Sequence, residues 1–316
     1  MAFEIPGISY SGRIKEVEIG KEGETVTLGG ENSYPFHLFE GEMPNSPKIA
    51  FEIYDSKPEG WQDTLLKVFQ DVMDDPVAWA KKCIDDFGAE MLCLRLFSTD
   101  PNGMNKSAEE VVPVVKKVAD SVNVPLIVWG CENDDKDAEV LPQVAEACQG
   151  KRLVLGPVTD KNYKKIGAAA MAYEHTISAS TPIDINLAKQ LNILLGDLGV
   201  PDGKILIDPN IGGSSLGYGI EYTYSVMERV KQAALTQQDE KLQFPMIGYV
   251  ATDVWKKKEV SLSEDENPEL GDKGRRGILF EALTAGTLLL AGCDVLIMRH
   301  PEAVKLVRNM ILNLSN

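Results

Sequence analysis

ILIDPNIGGSS, residues 205–215, sets the reading of the whole chain. Ile205, Leu206 and Ile207 form an apolar run that stops at Asp208-Pro209-Asn210, and two glycines and two serines follow before helical periodicity resumes. A short run this uniformly apolar reads as a strand buried on both faces. Its polar end supplies a carboxylate and an amide, and Gly212 and Gly213 permit close backbone approach. Such an end either turns the chain or faces a ligand.

The same phrase recurs from Lys48 onward: a β-rich apolar run, a polar end, a capping residue, then a helix. The runs are KIAFEIY (48–54), MLCLRLF (91–97), PLIVWGC (125–131), RLVLGPV (152–158), HTISAST (175–181), KILIDP (204–209), PMIGYVA (245–251) and DVLIMR (294–299). Between them the helix starts are specific. Asp75-Pro76 precedes Val77, Ala80, Ile84 and Phe87 on one face, and Ser107 with Glu110 forms a capping box. Thr181-Pro182 precedes Leu187, Leu191, Leu194 and Leu198, and His300-Pro301-Glu302 precedes Val304, Val307, Met310 and Leu314. Eight strand–helix alternations predict a closed (β/α)8 TIM barrel. The alternative, an open doubly wound sheet, lacks a G-x-G-x-x-G after an early strand.

Residues 1–47 stand outside this pattern. RIKEVEIG (13–20) and ETVTLGG (24–30), separated by Lys21-Glu22-Gly23, predict a β-hairpin that covers one barrel end. The expected division is therefore an extension over 1–47 and a barrel over 48–316.

Composition narrows the function. The chain has 316 residues with 32 Lys and Arg against 48 Asp and Glu, a net charge of −16. Such a surface repels nucleic acid and anionic lipid, and the basic runs Lys256-Lys257-Lys258 and Arg275-Arg276 sit in an acidic loop. MAFEIPGISYSGR is no signal peptide, and the apolar stretch 278–291 is broken by Glu281, so a cytoplasmic location is expected. Cys83, Cys93, Cys131, Cys148 and Cys293 are scattered without a C-x-x-C pair, which predicts reduced thiols and no iron–sulfur cluster held by this chain.

In a TIM barrel the loops after the strands build the functional face. Here they carry Asp55-Ser56, Ser98-Thr99-Asp100, Gly130-Cys131-Glu132-Asn133, Thr159-Asp160, Ser180-Thr181, Asp208-Pro209-Asn210, Thr252-Asp253 and Arg299-His300. No lysine closes a strand as a Schiff-base aldolase requires, and His37, His175 and His300 lie too far apart for metal-ligand spacing. Ser214-Ser215 lacks a nucleophile elbow, and a two-carboxylate hydrolase using Asp55, Asp208 or Asp253 is selected by no spacing. Residue chemistry thus ends at a barrel with a polar mouth.

LIDPNIGG (206–213) resembles the Asp-Pro-Asn strand ends of pterin-binding barrels, shared by dihydropteroate synthase and the methyltetrahydrofolate-dependent corrinoid methyltransferases. Over essentially its whole length, through LFSTDPNG, IVWGCEND, ISASTPIDINLAKQLN and VLIMRHPEAV, the chain resembles the small subunits of corrinoid iron-sulfur proteins of the anaerobic acetyl-CoA (Wood-Ljungdahl) pathway. The resemblance implies a non-catalytic methyl-carrier subunit in a heterodimer. Its large subunit holds the [4Fe-4S] cluster and most contacts to the shared corrinoid (cobamide), while the barrel mouth caps that cofactor. A methyltetrahydrofolate methyltransferase and acetyl-CoA synthase are the further partners implied, with no nucleic acid and no membrane. Carried onto this chain, the cofactor-facing residues are Thr181, Asp208, Asn210, Ile211, Gly212, Gly213, Thr252 and Asp253. The alternative is an autonomous pterin-dependent methyltransferase, for which only Asp208 and Asn210 map onto the pterin-contact motif; a barrel hydrolase or lyase is the third class.

Overall fold

The computed structural model describes residues 6–210 and 219–315. The strands are β1 (Val17–Ile19), β2 (Val26–Leu28), β3 (Lys48–Tyr54), β4 (Met91–Arg95), β5 (Leu126–Trp129), β6 (Val154–Val158), β7 (Thr176–Ser180), β8 (Ile205–Asp208), β9 (Met246–Tyr249) and β10 (Cys293–Met298). β3 to β10 pair in parallel and close on themselves, β10 lying between β9 and β3. The TIM barrel expected from the sequence is the fold observed.

The strands are uniformly apolar because both faces are covered. Ala50, Met91, Cys93, Ile127, Leu206, Ile247 and Val295 cluster inside the barrel. Their neighbours Ile49, Phe51, Ile53, Leu92 and Leu94 pack outward against the helices, and all are buried.

β1 and β2 form the expected antiparallel hairpin, with Val17 opposite Leu28. Val17, Ile19 and Leu28 join the interior cluster. The Lys15 amide donates to the Gln243 carbonyl at 2.9 Å and the Gly20 amide to Arg152 at 3.1 Å, just before β9 and β6. The hairpin therefore plugs the end at which the strands begin. A buried ion cluster fixes the segment that follows: Lys231, on the helix Ile220–Thr236, bonds Glu31 and lies 3.3 Å from Asp294, which also accepts from the Met246 amide at 2.7 Å. Removing one member would strand the others' charge in the core.

Helix starts follow the capping logic with one correction. Asp75 accepts from the Val77 amide ahead of Pro76–Asp85, the Ser107–Glu110 box opens Ala108–Ser121, and His300 caps Pro301–Leu314. Thr181-Pro182 does not begin the next helix. Asp184 does, accepting from the Asn186 and Leu187 amides at 2.7 and 3.1 Å, so the helix is Ile185–Leu198. Its carboxylate satisfies two of the first-turn amides, and Thr181 is left in a mouth loop. β9 is also shorter than its apolar run, because a helix starts at Val250 and runs to Trp255.

Candidate functional site

A cleft of about 1060 Å³ opens at the ends of β5 to β9. Five of the eight residues expected there line it: Thr181, Asp208, Asn210, Thr252 and Asp253. Ile211, Gly212 and Gly213 lie outside the described residues.

Asp208 closes β8 and is almost wholly buried. Ser180 Oγ, from the end of β7, donates to its Oδ2 at 2.6 Å, and the Asn210 amide to its Oδ1 at 3.0 Å. Burial nevertheless pushes the carboxyl up to about 6, outweighing both hydrogen bonds. Asn210 occupies the left-handed region at φ 54°, which asparagine tolerates and which bends the chain away from the strand. Thr181 is buried, and its Oγ1 finds no hydrogen-bond partner among the described residues. Asp253 pairs with Lys257 at 3.6 Å and is raised by burial. Thr252 faces the floor instead, donating to Glu52 at 3.1 Å.

That floor is an interior polar layer. Glu52, at zero exposure, accepts from Tyr249 Oη at 2.5 Å and pairs with Arg299, whose guanidinium donates to Tyr54 Oη at 2.9 Å. The Tyr249 ring meets Trp129 edge-on with centroids 4.9 Å apart, and the Arg95 guanidinium lies over the same ring, 5.4 Å from its centroid. Arg95 also donates to Glu132 at 2.9 Å. Burial acts most strongly and would raise Glu132, but the Arg95 charge and hydrogen bond, the Lys256 charge and a bond from Trp129 together outweigh it and hold the carboxyl below its usual value. Glu132 stands at φ 70° in a loop organised by Asp137, which accepts from the Cys131 and Glu132 amides at 2.8 and 3.0 Å. Gly130 makes this possible: a Cβ there would fall 2.1 Å from Asp137 Oδ1.

Lysines edge the cleft, which the strand-end pattern did not reveal. Lys161 and Lys164 follow β6, and Lys256 and Lys257 follow β9. Lys161 bonds Asp134 at 3.0 Å, whereas Lys256 has a pKa lowered by burial and then by the like charge of Arg95. Lys164 lies in the helix Tyr163–Ala172 and the other three in the segments beside it and after Val250–Trp255, so only the three-dimensional path brings them together. The histidines stay apart: His175 accepts from the Leu153 amide at 3.0 Å, and His300 caps its helix. Among the described residues no cluster of His, Cys, Asp or Glu is placed to hold a metal ion, and no helix is long and apolar enough to cross a membrane. The arrangement suits a large polar ligand: an aromatic floor, hydroxyl and amide walls, and a rim of interspersed lysines and carboxylates.

A family model for the delta subunit of CO dehydrogenase/acetyl-CoA synthase matches residues 16–315. The chain belongs to this family. The delta subunit of the acetyl-CoA decarbonylase/synthase complex of Archaeoglobus fulgidus is 36% identical over 97% of this chain and 69% of that protein. The corresponding delta subunit of Methanocaldococcus jannaschii is 35% identical over 98% and 76%. Among solved structures, dihydropteroate synthase of Xanthomonas albilineans with 4-aminobenzoic acid superposes with a TM-score of 0.62 at 13% identity, over 95% of this chain and 97% of that one. The Thermus thermophilus dihydropteroate synthase gives 0.58 at 14%, over 94% and 98%. These two likenesses show a shared barrel; membership in the delta-subunit family rests on the sequence matches.

Proposed function

We propose that this delta-family chain is the small, capping subunit of a corrinoid iron-sulfur methyl carrier in acetyl-CoA synthesis or cleavage. The observation that carries the reading is the family membership joined to a roomy, polar barrel mouth. In this reading a large subunit holds the [4Fe-4S] cluster and the opposite side of the corrinoid; the two form a cytoplasmic heterodimer. A methyltetrahydrofolate methyltransferase delivers the methyl group, and acetyl-CoA synthase receives it.

The residues present fit the group. A corrinoid is broad, flat and fringed with amide side chains, which need both donors and acceptors. Thr181 offers a buried hydroxyl with no partner among the described residues, and Asn210 offers an amide beside it on the mouth. When bound, the corrinoid supplies a cobalt nucleophile that takes up and releases the methyl group. The chain's own part is to bind and to exclude water. Thr181 and Asn210 would hold fringe amides, and Trp129 and Tyr249 would form a dry floor. Asp208, with its raised pKa, would accept or donate a hydrogen bond according to pH.

The test compares the purified chain with the chain co-expressed with a large subunit, by visible absorption and metal analysis. Corrinoid and iron should appear only in the pair, with iron–sulfur absorption in the lone chain overturning this division of roles. Methyl transfer from methyltetrahydrofolate by the pair without an added methyltransferase, lost in Asp208→Ala, would establish the autonomous pterin enzyme instead.

A further inference from the structure

Two basic side chains at the cleft floor have donors to spare. Arg95 closes β4 and is only 6% exposed, yet among the described residues its one hydrogen bond runs from Nη1 to Glu132 Oε1 at 2.9 Å. A guanidinium carries five N–H donors in a planar fork. Arginines buried for structure in this chain use more of them. Arg276 donates to the carbonyls of Glu259, Leu262, Leu270 and Gly271, and Arg299 to Glu52 and Tyr54. Lys256, which lines the cleft, is in the same condition as Arg95. Lys161 pairs with Asp134 and Lys257 with Asp253, and Lys164 stands 5.9 Å from the centre of the Tyr163 ring. Lys256 has no ion pair and no side-chain hydrogen bond among the described residues, and the charge that acts on it most is the like charge of Arg95.

The two cations share one carboxylate. Glu132 feels the charge of both, and it is the loosely held member: its side chain is 46% exposed where that of Arg95 is 7%, and it stands on a left-handed residue of a loop. Asp208 also faces Glu132, but it accepts from Ser180 and Asn210 and pairs with neither cation. Like charges gathered in a half-buried cleft repel unless an anion lies among them. We infer that Arg95 and Lys256 form an oxyanion subsite that takes one phosphate or carboxylate group of a small molecule in the cleft, with Glu132 standing in for that group when the subsite is free. The guanidinium fork suits two oxygens of such a group, and the ammonium adds a point charge. A chain of net charge −16 does not draw anions from a distance, so the attraction is local to the cleft. The subsite rests on the cleft's own side chains. Under the proposed carrier function, one source of the anion is the phosphodiester in the nucleotide loop of the cobamide; the other is a free phosphate- or carboxylate-bearing metabolite.

The experiment titrates the full chain calorimetrically with inorganic phosphate and with acetate at fixed ionic strength. At least one of the two should saturate a single site. Lys256→Met should weaken that binding at least 10-fold, Lys256→Arg should restore most of it, and Glu132→Gln should tighten it by removing the competing carboxylate, all with the circular dichroism of the parent. Lys258→Met removes the same charge outside the cleft and should bind as the parent does. No saturable binding of either anion, equal affinity in Lys256→Met and the parent, or no tightening in Glu132→Gln overturns the proposal. The source is read in the pair with a large subunit, loaded with cobalamin or with cobinamide, which lacks the nucleotide and its phosphate. Weaker retention of cobalamin alone in Lys256→Met upholds the subsite and assigns it to the cofactor; equal retention of both, with anion binding by the chain lost, upholds it for a free metabolite. A pair that holds no corrinoid while the chain still binds the anion removes the carrier function and leaves the subsite standing.

Discussion

Asp208→Asn should stabilise the protein at alkaline pH and destabilise it slightly in acid. Asp208 has an unfolded value of 3.8 and a folded value near 6, because burial outweighs its bonds from Ser180 and Asn210. The folded state therefore holds the proton more tightly. Stability from this group is present below pH 3.8 and is lost as pH rises through about 6. At about 1.36 kcal/mol per tenfold, the step from 3.8 to about 6 amounts to roughly 3 kcal/mol against the ionised form at pH 8. Asparagine removes that cost, keeps an acceptor for the Asn210 amide, and obliges Ser180 to accept rather than donate. The changed bond costs about 1 kcal/mol. The variant should be more stable by about 2 kcal/mol at pH 8 and less stable by about 1 kcal/mol near pH 4. Urea unfolding at both values reads the crossover. A variant less stable than the parent at pH 8 would refute the reasoning, since the folded protein would then be stabilising the carboxylate's charge.

Two further outcomes follow from the interior. Glu52→Gln leaves Arg299 buried without its counter-charge and should cost about 3–5 kcal/mol in urea unfolding, much of it recovered in the double variant with Arg299→Met; no recovery would disprove the pairing. Gly277→Ala places a methyl 2.5 Å from Trp255 Cζ3, and the overpacking of about 1–3 kcal/mol should outweigh a helix-propensity gain of about 1 kcal/mol, giving a lower melting temperature.

All eight barrel strands were legible because burial on both faces makes each a continuous apolar run. That signal marks burial rather than backbone shape, so it overran β9 into Val250 and Ala251, which are buried in a helix. Thr181-Pro182 imitated a helix start, but Asp184 reaches two amides and wins the cap. At the site, Thr181, Asp208, Asn210, Thr252 and Asp253 were found from their place after strands, and the structure gathers them in one cleft. Their roles differ in ways no spacing encodes: Thr252 turns to Glu52, while Thr181 keeps its hydroxyl free of described partners. The Arg95–Glu132 and Glu52–Arg299 pairs join distant stretches of chain, 247 residues apart in the second case, and leave no local pattern. Lys161 and Lys164 escaped notice, and Lys256 and Lys257 were visible as a basic run whose place at the rim was not.

The hairpin plug has a kinetic meaning. Among the described residues, a barrel stoppered at the end where its strands begin leaves its cleft open at the other end alone, and anything that reaches it departs the way it came. Under the proposed carrier function, the protein that delivers the group and the protein that collects it would queue for that doorway. Turn-taking between the two halves of the transfer then needs no signal or switch, only that the first visitor leave before the second arrives.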